Sequence, residues 1–257
     1  MHIESLQNPR VKRILNLQQK AKLRRQEGVF VVEGRREVER ALLSGFVLEE
    51  IWLVVGDEPN LRLPERIHRI SCTNAVFEKI TYRESAADLL AVFKIKNQIL
   101  EDLSLSENPL IVVLEAIEKP GNIGAVLRTC NALGADAVLL CDSLVDLYNP
   151  NVLRNSLGGF FGIRVISTTS EEAISFLKRN KIEIVTTHLE ASIDYLDVDF
   201  TNPTAVVLGT EATGLTDLWV KNTSQNAIIE MGGVVDSLNI SVAAAIVLSE
   251  AVRQRKR

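Results

Sequence analysis

LIVVLEAIEKPGNIGAVLRTCNALGADAVLLC, residues 110–141, decides the fold. It opens on a short continuous apolar run, the pattern of a strand buried on both faces. Spacing then turns helical over 122–133, and Gly134 supplies a helix stop. A second apolar run occupies 137–141. Strand, helix and strand in so short a stretch make a crossover unit, and a crossover joins parallel strands.

The alternation continues downstream. Strands are predicted at 182–187, 205–208 and 227–231. Helices are predicted after Asn149-Pro150, at 170–180 and at 240–254. Strands alternating with helices imply an α/β fold with a parallel sheet covered on both faces. Ligands of such sheets sit outside the carboxyl ends of the strands.

Upstream, the polar stretch 101–109 ends in Asn-Pro and reads as a linker. It divides the chain into domains 1–103 and 104–257, a comfortable length for two. In the first, Asn8-Pro9 starts a helix predicted through 10–26, with Val11, Ile14, Leu17 and Ala21 near helical spacing, and Gly28 stops it. Short strands at 29–32, 51–55 and 89–93 and a helix at 35–44 complete a small α/β unit.

Hydrophobic residues make up 46% of the chain, enough for a sizeable core. The late apolar run 242–248 is far too short to span a membrane, and the first residues carry no secretory signal, so a cytoplasmic protein is expected. Cys72, Cys130 and Cys141 form no CxxC pair and read as buried apolar thiols. His2, His68 and His188 have no metal-ligand spacing, so no metal is expected.

The net charge of −4 conceals an asymmetry. Residues 1–109 carry 17 Lys+Arg against 16 Asp+Glu, and the remainder 12 against 17. Between residues 5 and 26 stand seven basic residues and no acidic one: Arg10, Lys12, Arg13, Lys20, Lys22, Arg24 and Arg25. That is a local positive footprint for nucleic-acid phosphates, with Arg10, Lys12, Arg13, Arg24 and Arg25 as the candidate contacts.

Three loops, each following a predicted strand, carry candidate chemistry. The first is Pro120-Gly121-Asn122-Ile123-Gly124-Ala125-Val126-Leu127-Arg128-Thr129. The second is Val207-Leu208-Gly209-Thr210-Glu211-Ala212-Thr213-Gly214-Leu215. The third is Met231-Gly232-Gly233-Val234-Val235-Asp236-Ser237-Leu238-Asn239-Ile240-Ser241-Val242-Ala243. None is a GxGxxG fingerprint or a P-loop, which argues against a nucleotide-cofactor enzyme. Read singly, each is also an ordinary helix cap or strand-to-helix turn.

Together, in this order, the loops resemble the three signature motifs of the SpoU/TrmH branch of the SPOUT methyltransferases. Ser237-Leu238-Asn239-Ile240-Ser241-Val242-Ala243 is the most specific. Ser5-Leu6-Gln7-Asn8-Pro9-Arg10 and Gly28-Val29-Phe30-Val31-Val32-Glu33-Gly34 are similar to the ribosomal-protein-like RNA-binding domain that often precedes that catalytic domain. The resemblance implies a C-terminal trefoil knot, a homodimer, S-adenosylmethionine as cofactor and methylation of an RNA ribose 2′-hydroxyl. Ribosomal RNA is the expected substrate. Transfer RNA and a non-catalytic RNA-binding or ribosome-assembly role are the alternatives.

By motif position, the resemblance implies that Leu208, Gly209, Ile229, Met231 and Leu238 line the cofactor pocket, and that Asn122, Arg128, Glu211, Ser237 and Asn239 are catalytic. Thr210, Ala212-Thr213 and Glu230 depart from the family's usual residues. An arginine stays protonated in proteins, so Arg128 is expected to clamp a phosphate or stabilise the developing alkoxide. Glu211 has no unique role on this reading.

Overall fold

The computed structural model describes residues 1–59, 61–82, 88–188, 193–209 and 214–256. In its first part β1 (His2–Ile3) leads to α1 (Pro9–Gln19), which starts where the Asn8 side chain accepts the Arg10 N–H at 2.9 Å and Pro9 takes a first-turn position. The single helix predicted over 10–26 is corrected here. The chain breaks at Lys20 (φ −115°, ψ 106°), and α2 (Ala21–Glu27) follows.

Arg24 explains the break. Its Nη1 donates to the carbonyls of Leu17 and Gln18 at 2.5 and 3.1 Å, acceptors that the end of α1 leaves open. Its guanidinium also pairs with Asp146 at 2.5 Å.

Next come β2 (Val29–Glu33), α3 (Arg35–Leu43), β3 (Leu48–Val54), β4 (His68–Cys72), α4 (Asn74–Ile80) and β5 (Leu90–Lys94). They form a five-stranded sheet in the order β1-β4-β3-β5-β2. β5 runs antiparallel to both neighbours, and the other pairs are parallel.

The second part holds β6 (Leu110–Glu115), α5 (Pro120–Leu133), β7 (Ala137–Cys141), α6 (Pro150–Asn155), β8 (Arg164–Thr168), α7 (Ser170–Arg179), β9 (Glu183–Thr187), β10 (Ile193–Asp194), β11 (Thr204–Leu208), α8 (Asp217–Asn222), β12 (Gln225–Ile228) and α9 (Ile240–Arg255). The sheet order is β10-β12-β9-β11-β6-β7-β8, and every pair is parallel. The central strands β11, β6 and β7 are buried at every residue, as their unbroken apolar runs predict.

α5 packs on α6 and α9. Its contact with α6 is backbone-close: a Cβ at Gly124 would lie 2.5 Å from the Val152 carbonyl oxygen and 2.7 Å from the Asn155 Cβ. Only glycine fits there.

The two sheets share one apolar core. Phe30 and Phe46 of the first part meet Tyr148 and Phe161 of the second, with ring centroids 4.5 and 5.4 Å apart. The backbone N–H of Lys96 donates to the Tyr148 hydroxyl at 3.1 Å, and that hydroxyl donates to the Lys96 carbonyl at 2.7 Å. Separate clusters fill the far face of each sheet. No helix among the described residues is long and apolar enough to cross a membrane.

Candidate cofactor and RNA site

The three motifs converge at the carboxyl ends of β6, β11 and β12. Ala116 adopts a left-handed backbone (φ 52°) directly after β6, with its N–H on the Cys141 carbonyl at 2.8 Å. The chain thereby leaves the sheet sharply and enters α5, whose third residue is Asn122.

Asn239 caps α9. Its Oδ1 accepts the Ser241 N–H at 2.9 Å and the Ser241 hydroxyl at 2.7 Å. Those bonds fix the amide's orientation, and its Nδ2 donates to Asn122 Oδ1 at 3.3 Å. The N-termini of α5 and α9 are thus stitched side by side. Both present the positive ends of helix dipoles, a setting that favours anions.

Arg128 lies six residues beyond Asn122, about one and two-thirds turns along α5. Its side chain is exposed and makes no hydrogen bond or ion pair among the described residues. Its backbone is held tightly: a Cβ at Gly159 would come within 3.0 Å of the Arg128 Cα. A fixed base carrying an uncommitted guanidinium suits a phosphate or a developing oxyanion.

The Gly209 loop is pinned at both ends. A Cβ on Gly209 would lie 2.5 Å from the Gly214 carbonyl carbon and 2.7 Å from the Leu215 nitrogen. Past the loop, the Thr216 N–H and hydroxyl donate to the Glu115 carboxylate at 2.9 and 2.6 Å. Glu115 is buried at the end of β6 and ties the first motif's strand to the second motif's loop. Sequence reading missed Glu115, though an acid closing an otherwise apolar strand is a visible signal.

Leu208 is buried in the shared core, so it can offer a ligand only its backbone. Ile229, Met231 and Leu238 are half-buried, and Ser237 is exposed, its hydroxyl donating to Asp236 at 3.2 Å. Glu211 and Thr210 lie outside the described residues. The cysteine thiols are buried, and burial pushes Cys72 up to about 11 and Cys130 up to about 12. Cys141 moves upward for the same reason, with the nearby acids Asp142, Glu115 and Glu172 adding to the shift. None of the three is a thiolate nucleophile at neutral pH.

The basic footprint needs one correction. Arg24 is only 1% exposed and is committed to Asp146, so it cannot reach RNA. Arg13 bridges Glu27 and Glu50 at 2.7 and 2.8 Å, and Arg10 lies 3.8 Å from Glu50. Lys12 and Arg25 are exposed, as are Lys20 and Lys22.

A parallel sheet with these three joined loops at its carboxyl end defines a methylase of the SpoU class. The chain belongs to the SpoU rRNA Methylase family, whose model matches residues 109–249, and residues 8–91 match the MRM3-like substrate binding domain. A 23S rRNA (guanosine(2553)-2′-O)-methyltransferase of Bacillus subtilis (strain 168) is 30% identical over 96% of this chain and 97% of its own length. The tRNA (guanosine(18)-2′-O)-methyltransferase of Escherichia coli (strain K12) is 33% identical, over 62% of this chain and 69% of its own. The crystal structure of an AdoMet-bound rRNA methyltransferase from Sinorhizobium meliloti superposes with a TM-score of 0.88 at 28% identity, covering 98% of this chain and 97% of the other.

Proposed function

We propose that this protein transfers the methyl group of S-adenosylmethionine to a ribose 2′-hydroxyl of ribosomal RNA. The observation that carries the reading is the Asn239–Asn122 bond, which brings two helix N-termini together on the helix that bears Arg128. The ribosomal relative of Bacillus subtilis matches the chain through its N-terminal part, whereas the transfer-RNA relative matches only 62% of it. That difference favours ribosomal RNA.

The half-buried apolar side chains of Ile229, Met231 and Leu238, together with the close backbone approach at Gly209, suit the adenosine portion of the cofactor. When bound, S-adenosylmethionine supplies a methyl group already activated for transfer. Arg128 holds the phosphate beside the target ribose and stabilises negative charge on its 2′-oxygen as the proton departs. Asn122 and Asn239 orient the ribose, and Ser237 contacts it from the third motif. The exposed basic residues Lys12, Lys20, Lys22 and Arg25 hold flanking phosphates.

The reading also assigns residues 1–103 to RNA binding and 104–257 to catalysis, a trefoil knot around the cofactor loops, a cytoplasmic setting and a twofold dimer. α9 supports the dimer, because Val242 is 46% exposed and its neighbours Ala243, Ala245 and Ile246 are only partly covered.

Incubating the protein with labelled S-adenosylmethionine and RNA from cells lacking its gene tests the reading. One 2′-O-methylated nucleotide is expected in ribosomal RNA by mass mapping. Label in transfer RNA would move the substrate to the second class. RNA binding without any transfer would leave only the binding role.

Gly209→Val is expected to abolish S-adenosylmethionine binding in calorimetry, because its side chain would displace the Gly214–Leu215 backbone and open the loop. Wild-type affinity in this variant would remove the loop from the pocket.

A further inference from the structure

Tyr82 is 72% exposed, yet it is held in place from two sides. The Arg154 guanidinium carbon lies 4.1 Å from the centre of its ring. Arg154 is itself fixed on α6, where Nη1 donates to Asn151 Oδ1 at 2.9 Å and Nη2 reaches Glu33 Oε1 at 3.4 Å. The same Glu33 carboxylate accepts the Tyr82 backbone N–H at 3.2 Å, and the Gln18 amide at 3.1 Å. One carboxylate therefore sets both halves of the pair, and the ring's second face is turned to solvent.

A rigid aromatic ring with a cation behind it and open space in front has the form of a base-stacking surface. Every nucleobase has a π-face, and unpaired bases stack on aromatic rings and arginine planes. The position fits such a role. α6 abuts the first turns of α5, with the Asn155 Nδ2 lying 3.8 Å from where a Cβ on Gly121 would stand. Asn122 is the next residue. Arg154, on the helix packed against α5, thus places Tyr82 on the flank of the helix that carries Asn122 and Arg128.

We propose that Tyr82, backed by Arg154, is a stacking platform for an unpaired base of the RNA substrate near the target ribose. The proposal rests on the RNA-methylation reading above. It adds a recognition element on the seam between the two parts, distinct from the basic face of α1 and α2, whose contacts would be to phosphates.

The test compares wild-type protein with Tyr82→Leu and Tyr82→Phe. The probes are a short labelled single-stranded RNA of mixed sequence and a duplex RNA of the same length, read by fluorescence anisotropy. Tyr82→Leu is expected to bind the single strand about 5- to 150-fold more weakly, the range that loss of a stacking aromatic produces. Tyr82→Phe is expected to bind like wild type, because stacking does not need the hydroxyl. Duplex binding should be unchanged in both variants, since paired bases cannot reach the ring. The slope of affinity against salt should also hold, since no phosphate contact is lost.

Wild-type single-strand affinity in Tyr82→Leu would overturn the platform. So would a parallel loss of duplex binding, of cofactor affinity or of thermal stability, each of which would make the ring a packing element. Failure of the wild-type protein to bind either RNA would instead overturn the RNA reading, and the platform with it.

Discussion

Arg128→Ala is expected to lower methyl transfer by roughly 10³-fold, the scale of losing one preorganised donor at a developing oxyanion, while S-adenosylmethionine affinity stays near wild type. The geometry separates these two effects. Arg128 is exposed on α5 and makes no hydrogen bond or ion pair among the described residues, so its removal breaks no polar contact among them. The proposed cofactor pocket is built from the Gly209 loop and the segment from Ile229 to Leu238, on other elements. Loss of a contact made to RNA in the transition state lowers kcat/KM without touching cofactor binding. Arg128→Lys keeps the charge and loses the planar fork that grips phosphate in two places. It too should lose most of the rate. Single-turnover transfer on ribosomal RNA, with calorimetry for the cofactor, measures both quantities. A near-normal rate in Arg128→Lys would remove the two-point grip and leave only a general positive charge.

The elements β6, α5, β7 and α9 were legible in the sequence, because long buried strands and capped helices write their periods plainly. α9 runs Ile240–Arg255 against a predicted 240–254. Other features were hidden for identifiable physical reasons. β4 opens on exposed His68 and Arg69, and β8 opens on exposed Arg164, so neither shows the apolar run that marks the central strands. β12 ends at Ile228 rather than running to Met231. The break at Lys20 is a tertiary effect. Helical spacing continues through it, and the break is bridged by one guanidinium bonded to the Leu17 and Gln18 carbonyls and to Asp146. Arg24 therefore looked like part of a solvated basic face. Glu115 is the converse case: an acid closing an apolar strand is visible, but its partner Thr216 is 101 residues away, and no local pattern links them.

The Arg24–Asp146 pair should have the largest effect on stability. The Arg24 and Asp146 side chains are 2% and 9% exposed, and they join the two parts of the chain. Removing one partner of a buried pair leaves an uncompensated charge, which costs about 3–5 kcal/mol. Asp146→Ala strands the guanidinium and also removes the acceptor for the Tyr148 N–H at 3.3 Å. Arg24→Met strands Asp146 and uncovers the carbonyls of Leu17 and Gln18. Each single variant should lower the urea midpoint sharply. The double variant should lose less than the sum, because neither charge is then left alone. The same experiment reports on the seam. Tyr148 stands in the loop that Arg24 grips, packs on Phe30 and exchanges hydrogen bonds with Lys96, and the surrounding core is continuous between the sheets. Wild-type unfolding followed by Trp52 in the first sheet and Trp219 beside the second should therefore occur in one coincident transition. Two separated transitions would show that the aromatic seam does not couple the parts. An unchanged midpoint in Asp146→Ala would show that Arg24 is satisfied by the two carbonyls alone.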